Sequence, residues 1–294
     1  MTDKLEFKKL RGFGDVINDT FVFIRQNIKP LLKVFVYFCG FFVLASGVAS
    51  VFQQLGMRNA MLEMGEHGPD SPFAFFNKIF TVNYLLVILF SMANYAAMYV
   101  SVLSFITLYI EKGKVVPGVD EVWSYFKYYF LRVFGSSILV TLFFLVCFIA
   151  CIVPGIYVFP AMSLFFPVMI FENGSWGYTF GRSFKLLKDQ WWVTAATIFI
   201  VYIITMACMS FISVPIAIMG MASAFTQGAK TMSETMIIVG TIIQCIGQVF
   251  MIIPIIALSL CYFNLVERKE NLGLMSRIDD FGQAKNPFGA PEQY

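Results

Sequence analysis

Residues 133–171 read VFGSSILVTLFFLVCFIACIVPGIYVFPAMSLFFPVMIF, a run of 39 positions without one charged side chain. An α-helix crosses a hydrocarbon core about 30 Å thick with about 20 apolar residues. The run is therefore long enough for two crossings. Pro154 and Gly155 stand near its middle, and this dipeptide is typical of a turn. The sequence thus predicts a transmembrane hairpin that turns at Pro154 and Gly155.

Four further stretches carry no charged side chain, and each fits one crossing: 34–57, 79–110, 190–229 and 235–266. Only helices and closed barrels satisfy their own backbone hydrogen bonds inside a bilayer. The composition agrees, because hydrophobic residues make up 59% of the chain and charged residues only 13%. A soluble domain carries about 25% charged residues. We expect an all-α integral membrane protein with six transmembrane helices arranged as three hairpins.

The distribution of basic residues predicts the orientation, because loops rich in Lys and Arg stay in the cytoplasm. With six crossings both termini share one face, and that face carries 18 of the 21 basic residues. The other face carries only Arg58, Lys78 and Lys230. We therefore expect a multi-pass protein of the bacterial cytoplasmic (inner) membrane with both termini in the cytoplasm. A single crossing in 133–171 would place the last two basic clusters on the face opposite to the first two.

A short pattern precedes each predicted hairpin: apolar residues at positions 0, +3 and +7, with a basic residue at +4. Its three copies are Phe21, Ile24, Arg25 and Ile28; Trp123, Phe126, Lys127 and Phe130; and Phe184, Leu187, Lys188 and Trp191. This spacing aligns the apolar residues on one face of a helix. Such a helix lies in the membrane interface with its basic residues at the lipid headgroups. The alternative is that any helix entering a bilayer from the cytoplasm shows aromatic residues and a Lys.

The predicted organisation is a repeat of three units, each a cytoplasmic interfacial amphipathic helix followed by a transmembrane hairpin. The units cover residues 13–111, 117–171 and 175–267 of a membrane domain at 13–267. Residues 1–12 form a basic N-terminal arm, and residues 268–294 form a cytoplasmic tail. The end of that tail, from residue 282, has a composition prone to disorder.

The predicted spans contain no ionisable residue, although ion-coupled transporters use such residues inside the membrane. The strongest polar groups there are Asn94, Gln244 and Gln248. Gln244 and Gln248 are four residues apart and share a helix face. We interpret the three as interhelical hydrogen-bonding residues. The functional alternative is a polar cavity for an amphiphilic ligand.

No catalytic or metal-binding pattern stands out. The six cysteines all fall within predicted spans, without a Cys-x-x-Cys pair, which favours packing. His67 follows Met57, Met61 and Met64, a set that could hold Cu(I), although Met at helical spacing usually packs. We expect no enzymatic activity, no cofactor and no metal.

One segment carries a family resemblance. Residues 171–188 read FENGSWGYTFGRSFKLLK, with Glu172 at the end of the fourth span and Arg182-Ser183 in the following surface helix. Together with Pro154-Gly155 opening that span, this pattern resembles uncharacterised bacterial six-helix membrane proteins. It is also similar to the membrane domain of some glycerophosphodiester phosphodiesterases. The resemblance implies an accessory membrane part without a substrate of its own, because a separate barrel catalyses in those enzymes.

These observations favour a non-enzymatic scaffold or accessory subunit of a membrane assembly. Its partners would be membrane lipids and a protein on the cytoplasmic face, not nucleic acid, and a homo-oligomer is compatible with this interpretation. The alternative is a permease or transporter of a lipid-like or amphiphilic small molecule.

Overall fold

The computed structural model describes residues 4–67, 81–150, 152–227 and 233–270, and every regular element in these ranges is helical. The elements are α1 (Phe13–His67), α2 (Val82–Glu111), α3 (Val119–Ala150), α4 (Ile152–Ser163), α5 (Phe165–Phe171), α6 (Trp176–Leu187), α7 (Trp191–Gln227), α8 (Glu234–Gly247), a 3-10 helix (Gln248–Met251) and α9 (Ile252–Glu270). The all-α class predicted from the sequence is confirmed for the described residues.

Five helical segments are long and apolar enough to cross a membrane. They are Phe13–Glu63, Val82–Glu111, Val119–Ile149, Trp191–Ile218 and Glu234–Glu270. A sixth apolar segment, Gly155–Phe171, is 17 residues long, slightly less than the roughly 20 residues that a crossing needs. The long apolar helices are consistent with a multi-pass membrane protein, and the sixth crossing stays a prediction.

The core is built around the second half of α2 and around α9. No residue of α2 is buried before Ala93, whereas 14 residues are buried from Ala93 onward. In α9, 14 of 19 residues are buried. Small residues such as Ala97, Ser101 and Ser104 on α2 let neighbouring helices approach closely. The two helices therefore form the centre, and α1, α3, α5 and α7 pack around them.

The contacts between α3 and the pair α4–α5 run in opposite chain directions. A Cβ added to Gly155 would lie 3.1 Å from the Phe148 ring. The rings of Phe144 and Phe159 are 6.5 Å apart, and Arg132 Nη1 lies 2.8 Å from Asn173 Oδ1. The end of α3 thus contacts the start of α4, and earlier residues of α3 contact residues further along the chain, so α3 and the pair α4–α5 are antiparallel. α3 ends at Ala150 and α4 begins at Ile152, with Pro154 and Gly155 in the first turn of α4.

The three predicted interfacial segments differ from one another in the structure. Only the third is a helix of its own, α6. The second is continuous with α3, and the first is continuous with α1 apart from a kink at Asn27 (φ −125°, ψ 19°). Pro30, three residues later, explains the kink, because it cannot donate to the carbonyl of the preceding turn and clashes with it.

The N-terminal arm packs against the bundle. The Phe7 ring is 2% exposed and lies 5.0 Å from that of Phe23 and 5.6 Å from that of Phe263. Arg11 is 3% exposed; its Nε donates to Asp19 at 2.8 Å, and its backbone N–H donates to Asn264 at 2.8 Å. The arm predicted as merely basic therefore joins α1, α2 and α9 at one end.

Candidate functional site

Side chains from two helices, α6 and α9, converge on one carboxylate, that of Glu172 in the α5–α6 turn. The hydroxyls of Tyr178 and Tyr262 donate to it at 2.6 and 2.9 Å, and Arg182 Nε donates to its two oxygens at 3.0 and 3.1 Å. Arg182 also donates to Glu270. These five residues are called the Glu172 cluster below. The single hydrogen of Arg182 Nε is shared between the two oxygens, and each oxygen also accepts from one Tyr hydroxyl.

The turn between α5 and α6 positions Glu172 and Tyr178. Asn173 adopts a left-handed conformation with φ of 47°, and Arg132 of α3 donates to the Asn173 side chain and to the Gly174 carbonyl. A Cβ at Gly174 would lie only 2.4 Å from the Tyr178 ring. Glycine is therefore required there if Tyr178 is to reach Glu172.

The charges of the Glu172 cluster are largely shielded from solvent. The side chains of Arg182 and Glu172 are 14% and 15% exposed. Burial alone would lower the pKa of Arg182, but its hydrogen bonds to Glu270 and Glu172 outweigh burial and raise that pKa above its usual range. The hydrogen bond to Glu172 raises the pKa of Tyr178. Arg182 therefore stays cationic and Tyr178 stays a neutral donor at physiological pH.

The Glu172 cluster forms a clamp, by which we mean that its hydrogen bonds hold α6 and α9 to the end of α5. Partly buried ionic groups need hydrogen bonds to be stabilised, and here donors from α6 and α9 supply them to Glu172. Lys269 extends the clamp, since it donates to the Lys185 carbonyl and lies 3.4 Å from Asp189. These contacts join α5, α6 and α9 with Asp189, which precedes α7, and the described residues of the cluster present no activated nucleophile.

The residues that carry the family resemblance separate into two groups. Glu172 and Arg182 meet in the cluster. Ser183 does not: it is fully buried, and its hydroxyl donates to the Thr179 carbonyl one turn earlier at 2.8 Å. Pro154 and Gly155 lie at the start of α4, away from the cluster in the chain. Tyr178, Tyr262 and Glu270 were not singled out by sequence, and only the first lies within the quoted segment.

The residues predicted to lie in the interface are mostly exposed but also contact protein. Phe21 and Trp123 are each 41% exposed, and Arg25, Lys127 and Lys188 are exposed. Phe184 is half-buried, beside the Phe180 ring at 5.1 Å.

The second predicted interfacial stripe packs directly on α1. The Trp123 ring stacks on those of Phe126 and Phe38, at 5.7 and 5.8 Å, and Lys127 Nζ sits 5.1 Å above it. Phe130 in turn stacks on Phe42 of α1 at 5.3 Å. This stripe therefore contributes to helix packing in addition to any contact with lipid.

Of the three polar residues predicted within the spans, Asn94 and Gln248 contact each other, whereas Gln244 lies apart. Asn94 Nδ2 donates to Gln248 Oε1 at 2.5 Å, and Asn94 is 3% exposed. Its Oδ1 is buried and has no hydrogen-bond partner within the described part of the chain. Gln244 is exposed, on a helix of which only four residues are buried. Neither a groove between α1 and α8 nor a cavity between α2 and α3 is lined by these three residues.

Among the described residues, no group of three or more His, Cys, Asp and Glu side chains could hold a metal ion. The side chains of Met64 and His67, in the alternative copper set, lie outside the described residues. Five cysteines are described, and all are free thiols. The predicted cytoplasmic tail lies outside the described residues from 271 onward.

No family model, no curated protein and no solved structure matches this chain. The fold alone therefore defines the class of this protein. Its described part is all-helical and contains five helices long and apolar enough to span a membrane.

Proposed function

We propose that this protein is a non-enzymatic scaffold or accessory subunit of a bacterial inner-membrane assembly. The observation that carries the proposal is the Glu172 cluster, which joins α5, α6 and α9 through a carboxylate that accepts from Tyr178, Arg182 and Tyr262. An end in which several helices are held together in this way suits a docking platform. It does not suit an active site, which needs reactive groups available to a substrate.

In this proposal the chain crosses the membrane six times, as three hairpins, each preceded by an amphipathic helix. The antiparallel contacts of α3 with α4–α5 support the middle hairpin. The 20 residues from Ile152 to Phe171 would span about 30 Å as helix, the thickness of a hydrocarbon core. The resemblance of residues 171–188 to six-helix membrane proteins supports the same count.

The clamped end faces the cytoplasm in this proposal, together with both termini. It carries the N-terminal arm, the C-terminal end of α9 and most of the basic residues. Such a surface suits anionic headgroups and a protein partner, or a second copy of the chain. It needs no cofactor, and nothing in it suggests nucleic acid.

A transporter of an amphiphilic molecule is the second candidate, and one observation favours it. Asn94 Oδ1 is a buried acceptor without a hydrogen-bond partner among the described residues, and a ligand could use it. Against it, Asn94 already pairs with Gln248 and is 3% exposed. Helix packing therefore accounts for this pair better than transport does.

The experiment compares two variants in cells that lack the natural protein. Arg182→Gln breaks the Glu172 cluster, whereas Asn94→Leu/Gln248→Leu replaces the polar pair with apolar groups of similar size. A scaffold predicts that Arg182→Gln fails to restore the wild-type phenotype and the double variant restores it. The reverse pattern, at equal membrane abundance, would establish transport and overturn the proposal. Arg182→Lys, which keeps the charge, controls for simple misfolding.

A further inference from the structure

A long apolar groove runs between α1 and α8 along the face of the bundle. It is lined by residues within 35–51 of α1 and within 238–249 of α8 and the 3-10 helix, and its volume is about 600 Å³. The two helices touch at Gly47, where an added Cβ would lie 2.8 Å from Cys245 Sγ. At Gly40 an added Cβ would meet nothing within 4 Å, so the groove is open there.

The groove is lined mainly by apolar side chains and contains few hydrogen-bonding groups. Its hydroxyl, on Thr241, donates to the Ile237 carbonyl at 2.9 Å and accepts from Gln54 at 3.2 Å. Its thiol, on Cys245, lies 3.8 Å from the Val43 carbonyl. Both polar groups are thus used by the protein itself. An occupant of this groove gains from van der Waals packing against the two helices and needs no polar group of its own there.

The groove is long enough for an extended chain. Residues 35–51 of α1 extend over about 24 Å at 1.5 Å per residue. The volume of about 600 Å³ lies along this length, beside the close approach of α1 and α8 at Gly47. An extended hydrocarbon chain therefore has room along α1.

Two cations stand at one end of the groove. Lys29 and Lys33 are exposed and lie on the same face of α1 as the groove residues Val36 and Gly40, with spacings of four, three and four residues. Basic side chains at the end of a membrane-embedded helix attract anionic lipid headgroups. The positive charge of Lys29 and Lys33 therefore favours an amphiphile with an anionic headgroup.

We propose that the α1–α8 groove binds one acyl chain of an anionic phospholipid, with its headgroup at Lys29 and Lys33. One leaflet contributes about half of the roughly 30 Å hydrocarbon core, so the chain reaches past Gly40. The assignment to the cytoplasmic leaflet rests on the orientation proposed above. The chain-binding groove itself does not depend on that orientation.

Native mass spectrometry of the purified full-length protein tests this site. The probes are phosphatidylglycerol and phosphatidylethanolamine with identical acyl chains, offered in mixed micelles. Wild-type protein retains one phosphatidylglycerol per chain, with a preference over phosphatidylethanolamine of about tenfold or more, since each Lys contributes about fivefold. Gly40→Leu fills the groove and lowers lipid retention about tenfold. Gly135→Leu is the matched control, because an added Cβ there also meets nothing within 4 Å, and retention stays unchanged.

The variant Lys29→Gln/Lys33→Gln separates the headgroup from the chain. It still retains one phospholipid, but the preference for phosphatidylglycerol falls to about twofold or less. Equal retention by wild type and Gly40→Leu would overturn the proposal. So would a dimer that Gly40→Leu disrupts, because the groove would then hold a second copy. A reversed membrane orientation would change the leaflet and the proposed function but leave lipid retention intact.

Discussion

Two halves of the same bundle are packed very differently. The packed half comprises α2 from Ala93, α3 up to Val140, α7 up to Thr205, and α9. The open half comprises the remaining described parts of α2, α3 and α7 together with α8. α3 has no buried residue in 141–149, and α7 has none in 206–218. The buried residues thus gather at the end that carries the Glu172 cluster and the N-terminal arm.

The comparison teaches that hydrophobicity and packing are separate properties in a membrane protein. Both halves are equally apolar in sequence, because lipid and protein interior favour the same side chains. The packed half is distinguished by small residues on α2, by aromatic contacts and by partly buried hydrogen-bonded charges. In the open half, Phe144 contacts the rings of Phe148 and Phe159, and the exposed Glu234 of α8 pairs with Arg58, while most of the surface is left to lipid. Stability should therefore be concentrated at the clamped end.

The largest expected effect comes from truncating the same side chain in each half of α2. Leu103 is fully buried and Leu89 is 49% exposed. We expect Leu103→Ala to lower the free energy of unfolding by about 2–4 kcal/mol, because it leaves a cavity in a packed core. Leu89→Ala should cost less than about 1 kcal/mol, since lipid refills the space. Thermal unfolding in one detergent measures both, and equal losses would contradict the division into two halves.

The next largest effect comes from the Glu172 cluster. Glu172→Gln leaves Arg182, which is 14% exposed, with one carboxylate instead of two. We expect a loss of about 1–3 kcal/mol, because a partly buried charge loses its partner. Glu121→Gln is the matched control, since Glu121 pairs with Lys112 at the surface, where such pairs contribute about 0–1 kcal/mol. If Glu121→Gln lowers the free energy of unfolding as much as Glu172→Gln does, the Glu172 cluster contributes no more to stability than a surface ion pair.

A smaller effect is expected where the two halves meet, at Asn94 and Gln248. A double-mutant cycle with Leu at each position should give a coupling energy of about 0.6 kcal/mol, typical of interhelical hydrogen bonds in membranes. Gln244→Leu should change stability less than either single variant, because Gln244 is exposed. Coupling between Gln244 and Asn94 would show that the predicted trio acts together after all.

The smallest effect concerns pH. The hydrogen bond to Glu172 raises the pKa of Tyr178 above its usual value of 10.0. Because the folded-state pKa lies above the unfolded one, this contribution is complete below about pH 10 and is lost as pH rises through the folded value. We expect wild-type protein to lose stability more steeply above pH 10 than Tyr178→Phe does. Thermal midpoints of both proteins against pH measure the difference, and parallel curves would exclude the hydrogen bond.

The sequence predicted the helices well because charge-free runs of this length have few alternatives in a bilayer. The hairpin turn at Pro154 and Gly155 stays a prediction, and both residues lie in the first turn of α4. The sequence did not predict that the first two interfacial segments continue into α1 and α3. The segment around Trp123 contains no helix-breaking residue, and the kink at Asn27 interrupts α1 without ending it.

The candidate site was predictable only in part, because its members are far apart in the chain. Glu172 and Arg182 lay in the segment with a family resemblance, but Tyr262 and Glu270 come from about 90 residues later. Burial of the N-terminal arm was also missed. Its signal was present in Leu5 and Phe7, two apolar residues within a charged stretch, and both are buried. Gln244 shares a helix face with Gln248 by periodicity but is exposed, because periodicity gives a helix face and not how well that face is covered.

The most direct test of the account is the side of the membrane on which each end of the bundle lies. Reporters that are active on only one side can be inserted at Ser71, between α1 and α2, and fused after Tyr294. The account predicts that the Tyr294 reporter is active in the cytoplasm and the Ser71 reporter on the opposite side. Activity of both reporters on one side would contradict the six-helix topology and, with it, the cytoplasmic platform.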